Sequence, residues 1–450
     1  MFNIIVAHDL EYGIGKNNTI PWKNTTDVLF FKNLTIGNKN NAVIMGYNTY
    51  TSIGKSLKNR VNIVITDKLN YEVNCDCIIQ SNLDNALHYA YENNFEEVYV
   101  IGGSKIYNEA LTRNDIKYIY ITIINNIHEC DRFFNKYDIE SYNKIILYND
   151  ADTTIVKLMK KNYDELAYLD LLKNVLINGN KQIDRTGTGT ISMNGLSLKF
   201  DLSKGYPLLT TKKMWFKGIL IELLWFISGS TNVEELQNQK LHIWDGNSSR
   251  EFLDKRGLYE LNEGDIGPSY GFQFKHFGAK YINNDTNYSN QGMNQIDYVI
   301  NELKNNPISR QIVINLWNSS DIHKMALPPC LMMYNFFVNI NSNKLDCVMY
   351  ARSSDLFLGN PWNIGTGALL TYILAHICNM NVGELTFNIG NAHIYNNHIN
   401  QCIEQIDRIP YVYPQLKINK NITNIYDLKV CDFELCDYMY YPAIKGEMSI

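Results

Sequence analysis

Residues 325–370 decide the reading of this chain: MALPPC (325–330), LMMYNFFV (331–338), then NINSNKLDCVM and YARSSDLFLGNPWNIGTGALL (350–370). Cys330 follows two prolines and opens an apolar, aromatic run. The prolines fix φ and remove two backbone donors, so the approach to Cys330 is stiff. The run after it predicts a buried strand, and LDCVMYARSSD a second strand carrying Arg352 among polar residues. A thiol on a rigid approach with a guanidinium nearby suits a stabilised thiolate nucleophile. A cysteine beside a strand is also an ordinary small core residue, so the choice rests on the rest of the chain.

The 450 residues allow about three domains of roughly 150 residues each, or two of unequal size. Hydrophobic residues make up 45% and charged residues 19%, the balance of a folded globular protein. A net charge of −5 without a basic tract argues against an obligatory nucleic-acid or membrane partner, while local basic sites for phosphates stay open. The nine cysteines are scattered. Cys75 and Cys77 form a C-x-C with no second pair at zinc spacing, and His393 and His398 lack the zincin pattern, so no metal site is expected. The opening MFNIIVAHD carries a charge too early for a signal peptide. The most apolar helical stretches, 218–229 and 367–380, are too short to span a bilayer and contain Glu222 and His376. A reducing, cytoplasmic setting is the expectation.

The first 161 residues alternate strands and helices, which predicts an α/β unit with a largely parallel sheet flanked by helices. FNIIVAHD is a strand, and EYGIGKNNTIPW a glycine-bearing loop. TTDVLFFKNLT reads as a helix with Thr26 as its cap, Asp27 in its first turn and Val28, Phe31 and Leu34 on one face. Asp27 either complements the helix dipole or faces a pocket. VYVIGGSKIYNEA sets Gly102–Gly103 between a strand and a helix N-terminus, which is either a phosphate seat or a tight turn.

In order, these motifs resemble dihydrofolate reductase over residues 1–161. GIGKNNTIPW is similar to that family's mobile substrate loop, VIMGYNTYTSIG to its cofactor turn-helix and IGGSKIY to its pyrophosphate turn. The resemblance implies a catalytic carboxylate at Asp27 and folate contacts at Asp27, Phe31, Arg60 and Thr122. It implies NADPH as cofactor, held by Ala7, Ile14, Gly15, Gly46, Thr49 and Thr66, and by Gly102, Gly103, Ser104, Lys105 and Ile106. Tyr47 and Asn48 stand where the family often carries cations for the 2′-phosphate, and Asp67 follows Thr66. Lys68 and Lys105 are the candidates to compensate, and NADH is the alternative.

TTIVKLMKK closes this unit, and NYDELAYLDLLKNVLINGN begins at once as a helix capped by Asn162 or Asp164, with Leu166, Leu169, Leu172 and Leu176 on one face. No Pro-, Gly- or Ser-rich linker intervenes, so the boundary is placed at 161/162. KKMWFKGILIELLWFISGSTN reads as a helix with Glu222 among Ile219, Leu223, Leu224 and Trp225. That carboxylate is either exposed on a wet face or desolvated in a cleft, where its proton affinity rises.

DRTGTGT, ELLWFISGSTN, ALPPC, RSSDLFLGNPWNI and AHIY resemble thymidylate synthase, an α+β fold, over essentially all of residues 162–450. The final EMSI is similar to that family's mobile tail. The resemblance implies Cys330 as nucleophile toward dUMP and Glu222 as the proton-handling acid. It implies that Arg185, Arg352 and Ser353 bind the nucleotide phosphate, with Arg310 and its neighbour Gln311 reaching it from a second copy in a homodimer. Asn363 matches the residue that reads uracil, and His393 and Tyr395 those that hold the deoxyribose. Asp355 and Trp244 match contacts of methylenetetrahydrofolate, and Asp355 also borders dUMP. Gln311, Leu331 and Ala351 depart from the family pattern, which usually has Arg, His and Gln there. Together the two resemblances imply a bifunctional enzyme that makes dTMP and recycles the dihydrofolate released. Two alternatives stay open: a deoxycytidylate hydroxymethylase, which has an acid where Asn363 stands, and a chain with one degenerate half serving as scaffold or RNA binder.

Overall fold

The computed structural model describes residues 1–67, 76–113, 115–184 and 187–447. The chain divides into two compact units, Met1–Lys161 and Asn162–Ile450.

The first unit is built on an eight-stranded sheet in the order β5-β4-β3-β6-β1-β7-β10-β9. Its strands are β1 (Phe2–His8), β3 (Asn41–Gly46), β4 (Val61–Ile65), β5 (Cys77–Gln80), β6 (Glu97–Val100), β7 (Ile116–Ile124), β9 (Tyr142–Asn149) and β10 (Thr153–Lys160); short β2 (Gly13–Gly15) pairs with β8 (Arg132–Phe133) apart from it. Only β10 runs against its neighbours. The central strands are continuous apolar runs, such as the fully buried Ala42–Ile44, because helices cover the sheet. Those helices are α1 (Thr25–Ile36), α2 (Tyr47–Ile53), α3 (Leu83–Glu92) and α4 (Ser104–Leu111).

Two local expectations change. Asn24, not Thr26, caps α1: its backbone is extended and its side-chain oxygen accepts the Asp27 N–H at 2.8 Å, while Thr26 already lies in the helix. Val28 is 60% exposed; Phe30, Phe31 and Leu34 carry the packing face instead.

The second unit holds a six-stranded sheet, β11-β12-β16-β15-β14-β13. Its strands are β11 (Asn180–Gln182), β12 (Thr190–Asp201), β13 (Val313–Asn315), β14 (Leu331–Asn339), β15 (Lys344–Asp355) and β16 (Asn381–Tyr395). The helices are α5 (Tyr163–Asn178), α6 (Phe216–Ser228), short α7 (Glu234–Gln237), α8 (Asp245–Ser248) and α9 (Arg250–Lys255), then α10 (Tyr270–His276), α11 (Gln295–Asn305), α12 (Gly359–Ile377) and α13 (Ile399–Ile406). β15 and β16 run parallel, joined by α12, which packs on both. Strand residues alternate: Leu345, Cys347 and Met349 are buried under α12, while Val348 and Tyr350 point the other way.

Asn162, not Asp164, caps α5, accepting the Glu165 N–H at 3.1 Å. Glu165 shares the buried face of α5 with Tyr168, Leu169, Leu171, Leu172 and Val175. Its carboxylate accepts the backbone N–H groups and hydroxyls of Thr210 and Thr211 at 2.7–3.0 Å, pinning the turn before α6. Burial pushes that carboxyl up to about 7, against four opposing hydrogen bonds.

Glu165→Ala strands two buried amides, and urea unfolding of the second unit is expected to show a loss of about 2–6 kcal/mol. A folded-state pKa above the unfolded one contributes most stability below about 4.5 and loses it as pH rises through about 7. The deficit of the variant is therefore larger at pH 5 than at pH 8.

Candidate active sites, one in each unit

In the first unit the carboxyl ends of the parallel strands converge on Asp27, as crevices in open α/β sheets do. Ala7 and Thr122 sit opposite each other on β1 and β7. Asp27 faces them from the first turn of α1, whose cap Asn24 also donates to Thr153 Oγ1 at 2.6 Å and so ties the helix to β10. Burial raises the proton affinity of Asp27, and a hydrogen bond with Thr122 opposes that rise. One turn along α1, the Phe31 carbonyl accepts from Thr35 Oγ1 at 2.6 Å, and Thr35 Oγ1 accepts from Arg60 Nη1 at 2.6 Å. The Arg60 guanidinium lies 5.8 Å from the Phe31 ring centroid. Its Nε is buried without a partner among the described residues.

Ile14 and Gly15 lie on β2, closed down by the neighbouring loop. Asp131 N–H donates to Gly15 O at 2.9 Å, and Asn17 N–H to Asp131 Oδ2 at 3.1 Å. Buried Asp9 accepts the N–H groups of Glu11, Gly13 and His128, so one carboxylate binds both loops.

Gly46 ends β3, and its N–H donates to Gly102 O at 2.8 Å. A Cβ on Gly103 would lie 3.1 Å from Thr49 Oγ1, and one on Gly46 would lie 3.4 Å from Ile106. α4 opens at Gly103, Ser104, Lys105 and Ile106 with no side-chain cap, which leaves N–H groups for an anion. Thr66 follows β4 directly. The glycines keep this cradle narrow and bare, which fits a dinucleotide pyrophosphate. Lys68 and Cys75 lie outside the described residues.

In the second unit Cys330 stands just before β14. Its N–H donates to Tyr270 Oη at 2.8 Å, and its carbonyl accepts the Arg352 N–H at 2.9 Å. Arg352 Nε donates to Pro329 O and Nη2 to Pro328 O, both at 3.0 Å, and Nη2 lies 3.9 Å from Cys330 Sγ. The guanidinium also lies 5.7 Å from the Trp317 ring centroid. The apolar approach and the cation therefore meet at one sulfur.

Glu222 is 6% exposed, which excludes the wet-face reading. Trp244 Nε1 donates to its Oε1 at 2.8 Å and Trp362 Nε1 to its Oε2 at 2.6 Å. Burial pushes its carboxyl up to about 7, and the two indoles hold it from going further. Trp244 packs edge-on against Tyr270 with centroids 5.8 Å apart, so Glu222, Trp244, Tyr270 and Cys330 form one chain of contacts.

Asp355 accepts the N–H groups of Phe357 and Leu358 at 3.0 and 3.2 Å and so fixes the turn into α12. Asn363 lies half-buried in the first turns of that helix. Across the parallel pair, Ser353 faces Asn391 and Asp355 faces His393. His393 Nδ1 meets Asn391 Oδ1 at 3.1 Å, and its ring stands edge-on to Tyr395. Burial lowers the His393 pKa, and the charge of Asp355 opposes that. Near the C-terminus, His398 Nε2 meets Glu447 O at 2.8 Å, which docks the tail as far as the described residues run.

Arg310 and Gln311 are exposed in the loop after α11, and none of these contacts reaches them. Arg185 lies outside the described residues. Sequence reasoning missed Trp362, Tyr270 and Asn24. The only signal for Trp362 was generic, since an indole N–H turned inward needs an acceptor and the sequence does not say which.

Fold and sites define an enzyme with two separate centres: a half-buried carboxylate beside a dinucleotide cradle, and a thiol paired with an arginine and a desolvated acid. A dihydrofolate reductase family model matches residues 1–162 and a thymidylate synthase model residues 166–450. The chain is 40% identical over 465 residues to the bifunctional dihydrofolate reductase-thymidylate synthase of Paramecium tetraurelia, covering 100% of this chain and 99% of that protein. The corresponding Arabidopsis thaliana protein 2 is 38% identical over 502 residues, covering 100% and 88%, and that of Leishmania major 36% over 494 residues, covering 100% and 95%. The chain belongs to the bifunctional dihydrofolate reductase–thymidylate synthase family. No helix among the described residues is long and apolar enough to cross a membrane.

The Thr122 hydroxyl favours ionised Asp27, so Thr122→Val is expected to move the Asp27 titration to higher pH when followed by carboxyl carbon NMR. An unchanged midpoint would show that the hydroxyl does not stabilise the carboxylate.

Proposed function

We propose that residues 162–450 methylate dUMP to dTMP with methylenetetrahydrofolate, and that residues 1–161 reduce the dihydrofolate formed to tetrahydrofolate with NADPH. What carries this reading is the pairing, in one unit, of Cys330 and Arg352 with a desolvated Glu222, while Asp27 and Thr122 meet in the other.

In the synthase unit the Cys330 thiolate adds to C6 of uracil, and the ring electrons pass to O4 as an enolate. C5 then bonds to the methylene of the folate as one of the two bonds from that methylene to folate nitrogen opens. Glu222 takes the C5 proton through water; the folate leaves by elimination and returns a hydride to the methylene as Cys330 departs. Arg352 donates through Nε and Nη2 to prolyl carbonyls, and with Ser353 and Arg185 it binds the phosphate in this reading, since a guanidinium suits phosphate oxygens. Asn363 offers an amide to the carbonyl and N–H edge of uracil, where the amine of cytosine calls for an acid. His393 and Tyr395 hold the deoxyribose hydroxyl, and Asp355 and Trp244 border the folate.

In the reductase unit Asp27 hydrogen-bonds the amidine-like edge of the pterin and raises the proton affinity of the ring nitrogen beside the carbon that is reduced. Phe31 packs on the ring. The unpartnered Nε–H of Arg60 suits the glutamate carboxylate of the folate. Ala7, Ile14, Gly15 and the cradle of Gly46, Thr49, Thr66 and Gly102–Ile106 would hold NADPH, which would supply the hydride.

The synthase sheet supports a homodimer. Its outer face carries Ser197, Asn388, Tyr350, Met333 and Asn315 side by side in register. They line a concavity of about 570 Å³, and Tyr350 is 37% exposed. A second copy seated there brings an Arg310 to the phosphate of each site. No disulfide joins the eight cysteines among the described residues, in keeping with a reducing cytoplasm.

Cys330→Ala is expected to abolish tritium release from 5-tritiated dUMP and leave NADPH oxidation by dihydrofolate intact. Asp27→Asn should do the reverse, lowering reductase turnover by about 10²–10⁴-fold. Loss of both activities in either variant counts against separate centres. Tyr350→Arg is expected to sediment as a monomer and lose synthase turnover, and a mixture of Arg310→Ala and Cys330→Ala copies to recover part of it.

A further inference from the structure

Glu222 is held by two indoles rather than one. Trp244 and Trp362 come from separate parts of the unit, the segment before α8 and α12 respectively, and each donates to a different carboxylate oxygen. An indole N–H is a donor only. Neither tryptophan can therefore accept a proton from Glu222, and a proton on the acid must occupy a lone pair that both rings leave free. The two donors, one on each oxygen, fix the carboxyl plane.

The seat for Trp362 is built into α6. A Cβ on buried Gly218 would lie 2.7 Å from the Trp362 ring and 2.7 Å from that of Trp215. Gly218 lies four residues before Glu222, on the same helix face. The ring edge rests on the glycine while its N–H reaches the acid one turn on. The next residue after Trp362 is Asn363, which the synthase reading assigns to uracil, so one helical turn carries both the indole on the acid and the amide on the base.

We propose that Trp362 is a positioning residue for the proton step of the synthase: its N–H holds Glu222 in the orientation and ionisation range that serve C5, and the missing side chain at Gly218 makes room for it. The proposal rests on the synthase reading of this site. A donor to the carboxylate favours the ionised form, so its loss moves Glu222 toward the protonated form.

Trp362→Phe keeps an aromatic ring, smaller than the indole, and removes the donor. The pH midpoint assigned to Glu222, near 7, is expected to rise by about one pH unit in tritium release from 5-tritiated dUMP, the range of one charge-assisted hydrogen bond. Dissociation of dUMP should change little, placing the effect in kcat. Gly218→Ala, which displaces the ring and keeps the N–H, should move the midpoint in the same direction and provides the test if Trp362→Phe does not fold. Difference infrared titration of the Glu222 carboxyl, with Glu222→Gln as blank, reads the same shift without turnover. A wild-type protein that releases no tritium sinks the synthase reading. A wild-type protein that does, with variants whose kinetic and infrared midpoints coincide with it, sinks the role of Trp362 alone.

Discussion

Two consecutive prolyl carbonyls need a partner, and Arg352 is that partner. Pro328 and Pro329 contribute no N–H to any ladder, and β14 begins only at Leu331. Their carbonyls would otherwise be left without donors beside a core strand, at a cost of about 1–3 kcal/mol each. The guanidinium satisfies both and in doing so comes to rest beside the sulfur. The same backbone stiffness that makes the approach to Cys330 rigid therefore also recruits its cation. The rest of the synthase site follows: β15 must pair with β14 to deliver Arg352, and β16 must pair with β15 to set His393 against Asp355.

The two centres solve one electrostatic problem in related ways. Asp27 and Glu222 are both carboxyls raised by burial, and each is restrained by neutral donors rather than by a cation: a threonine hydroxyl in one case, two indoles in the other. A neutral donor trims proton affinity without pinning the acid in its charged form, as an arginine at that distance would. Each acid thus keeps a proton affinity above that of an ordinary carboxylate, and in Glu222 it is pushed up to about 7, a range that suits general acid–base work.

Much of this was legible in the sequence, for definite reasons. The strands of the first unit announce themselves as unbroken apolar runs because both faces of that sheet are covered. Cys330, Glu222 and Asp27 stand out because each is a chemically costly residue in apolar company. Helix starts were read less well. Thr26 and Asn24 are both competent caps by type, and only the backbone angle at Asn24 separates them. Val28 fitted the helical spacing, yet the packing stripe of α1 is shifted toward Phe30. Tertiary partnerships were the least visible. Nothing local to NPWN says that its indole meets an acid 140 positions earlier.

The parallel pairing of β15 with β16 carries a further meaning. Ser353, Asp355, Asn391 and His393 are opposed residue by residue, and Leu345, Cys347, Leu385 and Phe387, which share their side-chain direction earlier in the same strands, fill the core. Side-chain direction along a strand reverses at every step. A slip of one residue between these strands would send His393 and Asp355 to opposite surfaces and drive core residues into water. The apolar stretch of each strand thus acts as a proofreader for the polar stretch: the register that buries the leucines and phenylalanines is the register that sets Ser353 against Asn391 and Asp355 against His393.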